Sequence, residues 1–430
     1  MAASNCAQGD LAQSPASEKQ DAVEEATSTA LEERNKPPNG GYGWVCTVAA
    51  AVVNAHSWGF SSAYAVFLAY YLDHQVFKGA TRLEYAFVGS LSLTMTFLVS
   101  PIATIATQRY GIRKTMFIGV IFETASLFCA SLATQIWHLF LTQGLLFGMG
   151  LGMMFIPTTA VVPQWFTTKR SLASGISVSG AGLGGLMYSL VAEALIRQLG
   201  LVWAFRILGV LAFAVNVSCV LLIRDRREPT KVSFRKAALE VPLFKRADFN
   251  LLIGFSCFTI FGYFILIFSL AAYGVHIGLT SSQASLIAGL FNLGQAVGRP
   301  LIGYFSDTIG RIKMAGVATF LAGAITLAVW NAATNYGVLI FFALSEGTVA
   351  GNFWATIAPL VAEVLGLEKM PAGMNAVWLS IIIPATFSEP IAQIMVARTG
   401  SYLGAQLFAG FMYVAASACL AVLFWRQRRR

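Results

Sequence analysis

Apolar residues run in long blocks from Trp44 to Trp425, with polar residues gathered in short groups between them. The blocks read as twelve spans, at about 43–71, 84–107, 114–134, 137–162, 171–196, 203–223, 249–273, 283–306, 314–333, 336–362, 371–397 and 402–425. A hydrocarbon core about 30 Å thick takes about 20 apolar residues in a helix. A helix also satisfies its own backbone N–H and C=O groups where water cannot reach them. The pattern predicts an all-α integral membrane protein with twelve transmembrane helices. The longest segment between spans divides them six and six. The expected order is a disordered tail over 1–36, a six-helix bundle over 37–223, a central loop over 224–248 and a second six-helix bundle over 249–430.

Composition narrows this further. Hydrophobic residues make up 57% of the chain and charged ones 11%, too little polarity to cover a soluble particle of this size. The tail holds seven acidic and three basic side chains and few large apolar ones, so it lacks the apolar surface to fold. Of the 26 basic residues beyond it, 20 fall in even-numbered loops, the central segment and the C-terminal end. Lysine and arginine stay on the cytoplasmic side, so both termini are expected in the cytoplasm of a multi-pass protein, with the plasma membrane as its site. Basic charge in short loops between apolar spans orients a membrane protein and does not read nucleic acid. Within 234–244 an amphipathic pattern is suited to a membrane surface or to a solvated hinge. Five of six cysteines fall inside spans, without metal or disulfide spacing, and no cofactor is expected.

The two halves echo one another. Between spans 8 and 9 the chain reads Gly303-Tyr-Phe-Ser-Asp307-Thr-Ile-Gly310-Arg311-Ile-Lys313. Between spans 2 and 3 it reads Gln108-Arg109-Tyr110-Gly111-Ile112-Arg113-Lys114, with Gln where the Asp would be. A carboxylate at a helix end, a glycine turn and basic residues opening the next helix make a clasp. Its recurrence once per six spans marks an internally duplicated transporter. The sequence resembles the major facilitator superfamily along its body, and Asp307, Gly310, Arg311, Arg109, Gly111 and Arg113 are its expected gating residues.

Two further stretches point to a branch. Helix 1 opens with Asn39-Gly-Gly-Tyr42-Gly-Trp44, and the entry to helix 5 reads Trp165-Phe166-Thr-Thr-Lys169-Arg170-Ser-Leu172-Ala173-Ser-Gly175. Both are similar to the paired signatures of the monocarboxylate-porter family, and most of all to its large fungal branch. Asn39 replaces that family's Asp, Tyr42 its Trp and Thr168 a basic residue. Gly144, Gly148 and Gly152 on helix 4, and Gly180, Gly182, Gly184 and Gly185 on helix 5, read as close-packing positions.

Ionisable residues at membrane depth are few and usually serve function. They are Arg206, Arg299, Glu123, Glu193, Glu346 and Glu389. Arg206 reads as an interfacial anchor and Glu193 as a snorkelling residue, while Glu123 reads as structural. Arg299 lies in helix 8 where the resemblance implies the arginine that holds a substrate carboxylate, and its planar fork suits that anion. The partner aspartate of the mammalian members is Gln295 here, and the lysine of helix 1 is Ser62. The resemblance places helices 10 and 11 at the cavity, so Glu346 or Glu389 is expected to carry a proton, which a carboxyl removed from water readily holds. His56 is a further coupling candidate. Asn54, Tyr64, Tyr263, Asn292, Asn352 and Trp378 are expected to line a pocket for an organic acid with a conjugated or apolar body.

These residues predict a secondary active transporter without enzymatic activity. Its expected partners are protons, the bilayer and a small organic acid or metabolite, and its expected work is proton-coupled monocarboxylate transport by alternating access. Export of a fungal secondary metabolite, acidic or neutral, and a non-transporting nutrient sensor stay open at this point, as does any accessory subunit.

Overall fold

Each expected span closes into helix, because leucine, valine, alanine and phenylalanine fill the turns and the breaks fall at glycine, proline or polar clusters. The structure is a computed structural model that describes residues 39–226 and 240–429. The tail over 1–36 and most of the central loop, with part of the amphipathic 234–244 stretch, lie outside the described residues. In chain order the helices are α1 (Tyr42–Ser62), α2 (Tyr64–Asp73), α3 (Arg82–Leu98), α4 (Ser100–Tyr110) and α5 (Ile112–Ala130). Then come α6 (Ile136–Gln164), α7 (Arg170–Leu199), α8 (Leu201–Leu222) and α9 (Ala247–His276). Last are α10 (Ser281–Ile309), α11 (Arg311–Trp330), α12 (Tyr336–Leu365), α13 (Met370–Thr399) and α14 (Leu403–Arg428). No strand occurs among the described residues.

Eight of these helices are long and apolar enough to cross a membrane, and the pair α3–α4 makes nine. That pair bends by 41° just before Pro101, whose missing N–H opens the helical ladder. Of the other helices, α2 has only 10 residues, and α1, α5 and α10 carry polar residues inside the segment. Arg113, Lys114 and Glu123 fall in the 19 residues of α5, and α10 holds Asn292, Gln295 and Arg299.

Backbone-to-backbone contact at glycine sets the packing. On α7, Gly180 meets the carbonyl of Ala51 and Gly184 that of Ala55, which seats α7 on α1. The same helix turns Gly175 to the carbonyl of Arg299 and Gly182 to that of Asn292, seating it on α10. A Cβ at any of these four positions would collide with backbone. A second seam joins the chain halves through neutral pairs. Thr94 and Thr386 hydroxyls lie 2.7 Å apart, and the Thr104 hydroxyl donates to Asn375 at 2.8 Å. The described residues from Asn39 onward form one compact unit.

The duplication is visible in three dimensions at a constant shift of 199 residues, Gly111 to Gly310. Both glycines end a helix with positive φ, 88° and 114°. Thr81 caps α3 in a capping box with Glu84, and Thr280 caps α10 in the same way with Gln283. Gly148 on α6 meets the carbonyl of Ser92, and Gly347 on α12 meets that of Phe291. Each of these pairs obeys the one shift.

Candidate functional site

Asn292, Gln295 and Arg299 recur at steps of three and four on α10, so they share one face. Arg299 is 4% exposed. Its Nη1 donates to the carbonyl of Val178 on α7 at 2.6 Å. Nη2 donates to the Tyr263 hydroxyl at 3.0 Å and to Gln295 Oε1. The Tyr263 hydroxyl donates in turn to Gln295 Oε1 at 2.7 Å, and Gln295 Nε2 to Asn292 Oδ1 at 3.3 Å. Arg299 Nε has no partner, and none of the ion pairs among the described residues involves this arginine. A full positive charge is therefore held at membrane depth by neutral acceptors alone.

The group borders a cavity of about 620 Å³, counting the open space at its mouth. Asn54, Trp58, Tyr263, Asn292, Arg299 and Trp354 are among its walls. Both chain halves contribute, which the α7–α10 seam makes possible. The lining continues to Ser62 on α1 and Phe268 on α9, toward the helix ends opposite Asp307. Asn54 donates to the Ser177 carbonyl at 2.9 Å, leaving its Oδ1 unbonded. The indole N–H of Trp58 is an unused donor. Phe97 and Trp378 lie behind Phe155 and Trp354 of this wall, with Trp354 and Trp378 ring centroids 6.2 Å apart at 17°. One fork of donors, a few polar atoms and a broad aromatic wall suit an anion attached to an apolar body.

Four expected pocket residues, Asn54, Tyr263, Asn292 and Arg299, meet at this cavity. Trp378 forms the layer behind it. Tyr64 turns instead to the Tyr85 carbonyl at 2.9 Å, and Asn352 accepts from the Thr319 hydroxyl of α11 at 3.2 Å. Among the coupling candidates, His56 bonds Tyr188 across α1 and α7 at 2.7 Å. Glu389 accepts from Ser269 at 3.0 Å and Gln393 at 2.6 Å, and Glu346 is fully buried among α11, α12 and α14. None of the three lines the cavity. Glu123 accepts from Asn216 at 3.1 Å and Ser57 at 3.4 Å. Residues that the sequence did not single out include Phe155 and Val178. Nothing in an unbroken apolar run marks which carbonyl will meet a guanidinium.

At the basic-loop end, Asp307 joins α10 to α7. Its carboxylate accepts from the backbone N–H groups of Ser171 and Leu172 at 3.1 and 3.0 Å, capping the start of α7. Negative charge there meets the positive end of the helix dipole. Arg311 pairs with Asp307 at 3.4 Å and donates to the Thr167 carbonyl at 3.0 Å. Asn39 holds the same turn from the other side, accepting from Thr167 and Thr168 N–H. Of the matching residues in the first half, Arg113 donates to the Ile223 carbonyl at 2.9 Å, and Arg109 lies over the Tyr110 ring.

The family model described as Major Facilitator Superfamily matches residues 46–273 and 251–430. The chain belongs to that superfamily. It is a transporter of that type and a multi-pass membrane protein. Its superfamily relatives include "Probable transporter MCH2" of Saccharomyces cerevisiae, 31% identical over 89% of this chain and 82% of that protein. Another is the "Fujikurins efflux protein" of Gibberella fujikuroi, 29% identical over 92% of this chain and 86% of that one. In three dimensions the chain is similar to the human organic anion transporter MFSD10, with a TM-score of 0.67. That likeness covers 89% of this chain and all of the other at 13% identity, and so speaks to the fold of the superfamily.

Proposed function

We propose that this transporter moves an organic anion, a monocarboxylate with an apolar and ring-bearing body, as a member of the monocarboxylate-porter family. The supporting observation is the buried Arg299 guanidinium at the cavity, which has neutral neighbours and no carboxylate of its own. An arriving carboxylate takes Nε and displaces Gln295 and Tyr263 from Nη2, forming a charge-assisted two-point contact. Trp58 and Asn54 offer a donor and an acceptor to the rest of the substrate, and Trp354 packs on its flat face.

Twelve spans in two six-helix halves, 37–223 and 249–430, would rock about the central site, with loop 224–248 between them. The clasp at Asp307, Gly310 and Arg311 holds the basic-loop end shut until the cavity empties or fills. Lysine and arginine in the even loops put that end, and both termini, in the cytoplasm of a plasma-membrane protein. Movement is coupled to protons. A relative named as an efflux protein favours export as the direction.

The test is flux of labelled p-aminohippurate, an aromatic monocarboxylate, in vesicles holding purified protein with and without a pH gradient. Arg299→Ala is expected to remove saturable flux, and Arg299→Lys to restore part of it. Flux in Arg299→Ala equal to wild type would remove the anchor, and flux indifferent to the gradient would remove proton coupling.

A further inference from the structure

Glu123 and Glu346 are buried in the helices and Glu389 is half-buried, and their surroundings differ. Glu389 takes a hydrogen bond on each oxygen and reaches partial exposure. Glu123 takes two on one oxygen. Glu346 is 0% exposed, and neither of its oxygens has a hydrogen-bond partner among the described residues. The Thr326 hydroxyl of α11 faces the carboxyl without reaching good hydrogen-bond geometry. The Tyr413 hydroxyl of α14 is within electrostatic reach and is itself unbonded. A carboxylate charge in such a place, with no cation beside it and no donor satisfied, is strongly disfavoured.

The location is one layer behind the arginine. Tyr413 is in reach of Tyr263 as well as of Glu346, and its ring packs against Gly262 of α9. Tyr263 is the residue bonded to Arg299. Next to Glu346, Gly347 presses on the Phe291 carbonyl of α10, and Thr348 meets Gly298 one residue before Arg299. With backbone against backbone there is no slack, so a shift of α10 passes to α12 at the carboxyl. Thr326 also opens a π-helical turn, Thr326–Trp330, a strained form of helix that often marks a working position.

We propose that Glu346 is the proton-binding residue of the transport cycle, acting behind the Arg299 site through Tyr413 and Tyr263. The proposal deepens the proton-coupled reading above and rests on it. The proton comes from water on one side, forms one O–H bond on the carboxyl, and returns to water on the other when α10 and α12 move. The titratable and charged groups around it are Tyr413 on α14, Tyr263 on α9 and, beyond Tyr263, Arg299 on α10.

Infrared difference spectra of the full-length protein in vesicles, titrated from acid to alkaline buffer, read the carboxylic acid band without any substrate. The wild type is expected to show a protonated-acid band that Glu346→Gln lacks and Glu389→Gln and Glu123→Gln keep. With p-aminohippurate, Glu346→Gln is expected to retain counterflow, proof of a folded carrier, and to lose accumulation driven by the pH gradient. A band unchanged in Glu346→Gln, or gradient-driven accumulation equal to wild type, overturns the assignment. Arg299→Ala keeps the band while losing flux, so failure of the substrate site and failure of the proton site give different results.

Discussion

Ser100 and Arg299 occupy the same place in the two halves, each directly before a proline of the same repeat, Pro101 and Pro300. Around them the scaffold is shared: the capping boxes, the turn glycines and the contacts of Gly148 and Gly347 all agree. The chemistry is not shared. Thr96 stands where Gln295 does, and its hydroxyl bonds the carbonyls of Ser92 and Gly148 and nothing in the cavity. Gln108 stands for Asp307, and the residue matching Leu172, which donates to Asp307, is Pro371, which has no N–H to give. Duplication kept what packs, and divergence placed a buried guanidinium and the Asp307 carboxylate together on α10.

The comparison can be broken first at the scaffold. Gly148→Leu and Gly347→Leu each drive a side chain into a carbonyl, and each is expected to cost about 3 kcal/mol or more. Thermal melting of the purified protein in detergent reads this, and a large effect in one half alone would show that the frames are not equivalent. Next comes the difference in chemistry. Arg299→Ala should weaken binding of p-aminohippurate by about 2–3 kcal/mol, a factor of about 30–150, while Ser100→Ala should change it by less than about twofold. Equal losses would remove the asymmetry.

A smaller effect is expected at the clasp. Asp307→Asn should weaken closure of the basic-loop end by about 1–2 kcal/mol, read as faster alkylation of a cysteine placed at Ser177. Gln108→Asp should tighten that end by less than Asp307 does, because Pro371 has no N–H and only Met370 is left to donate. The smallest effects belong to the caps. Thr81→Ala and Thr280→Ala should each cost about 1 kcal/mol. The loss at Thr81 should shrink more in high salt, since Glu84 is charged where Gln283 is not.

Much of this was legible along the chain. Arg299, the clasp and the packing glycines stand out because an arginine in an apolar run, an Asp before a Gly-Arg turn and glycines every fourth residue are local signals. Rotation of a helix about its own axis was less legible. Glu346 and Asn352 were expected at the cavity, yet both face the α11 side. Around Glu346 the exposed face of α12 is as apolar as the buried one, with Phe341 and Leu344 outward, so nothing there tells one side from the other; Asn352 follows the break at Gly351 and is buried with its neighbours. Tyr64 turned to Tyr85 for a related reason: α1 ends at Ser62 and α2 restarts at Tyr64, so the helical phase is not carried across the break.

The threonine contacts that cross between α3–α4 and α13 are uncharged at every point. Separating them strands no ion in the membrane, and hydroxyls can turn back to a carbonyl of their own helix, as Thr94 and Thr386 already do with Ser90 and Ile382. This edge of the molecule can accordingly unzip and reseal at a toll of about 1 kcal/mol per pair, whereas parting α7 from α10 at the basic-loop end also breaks the charge-assisted cap at Asp307.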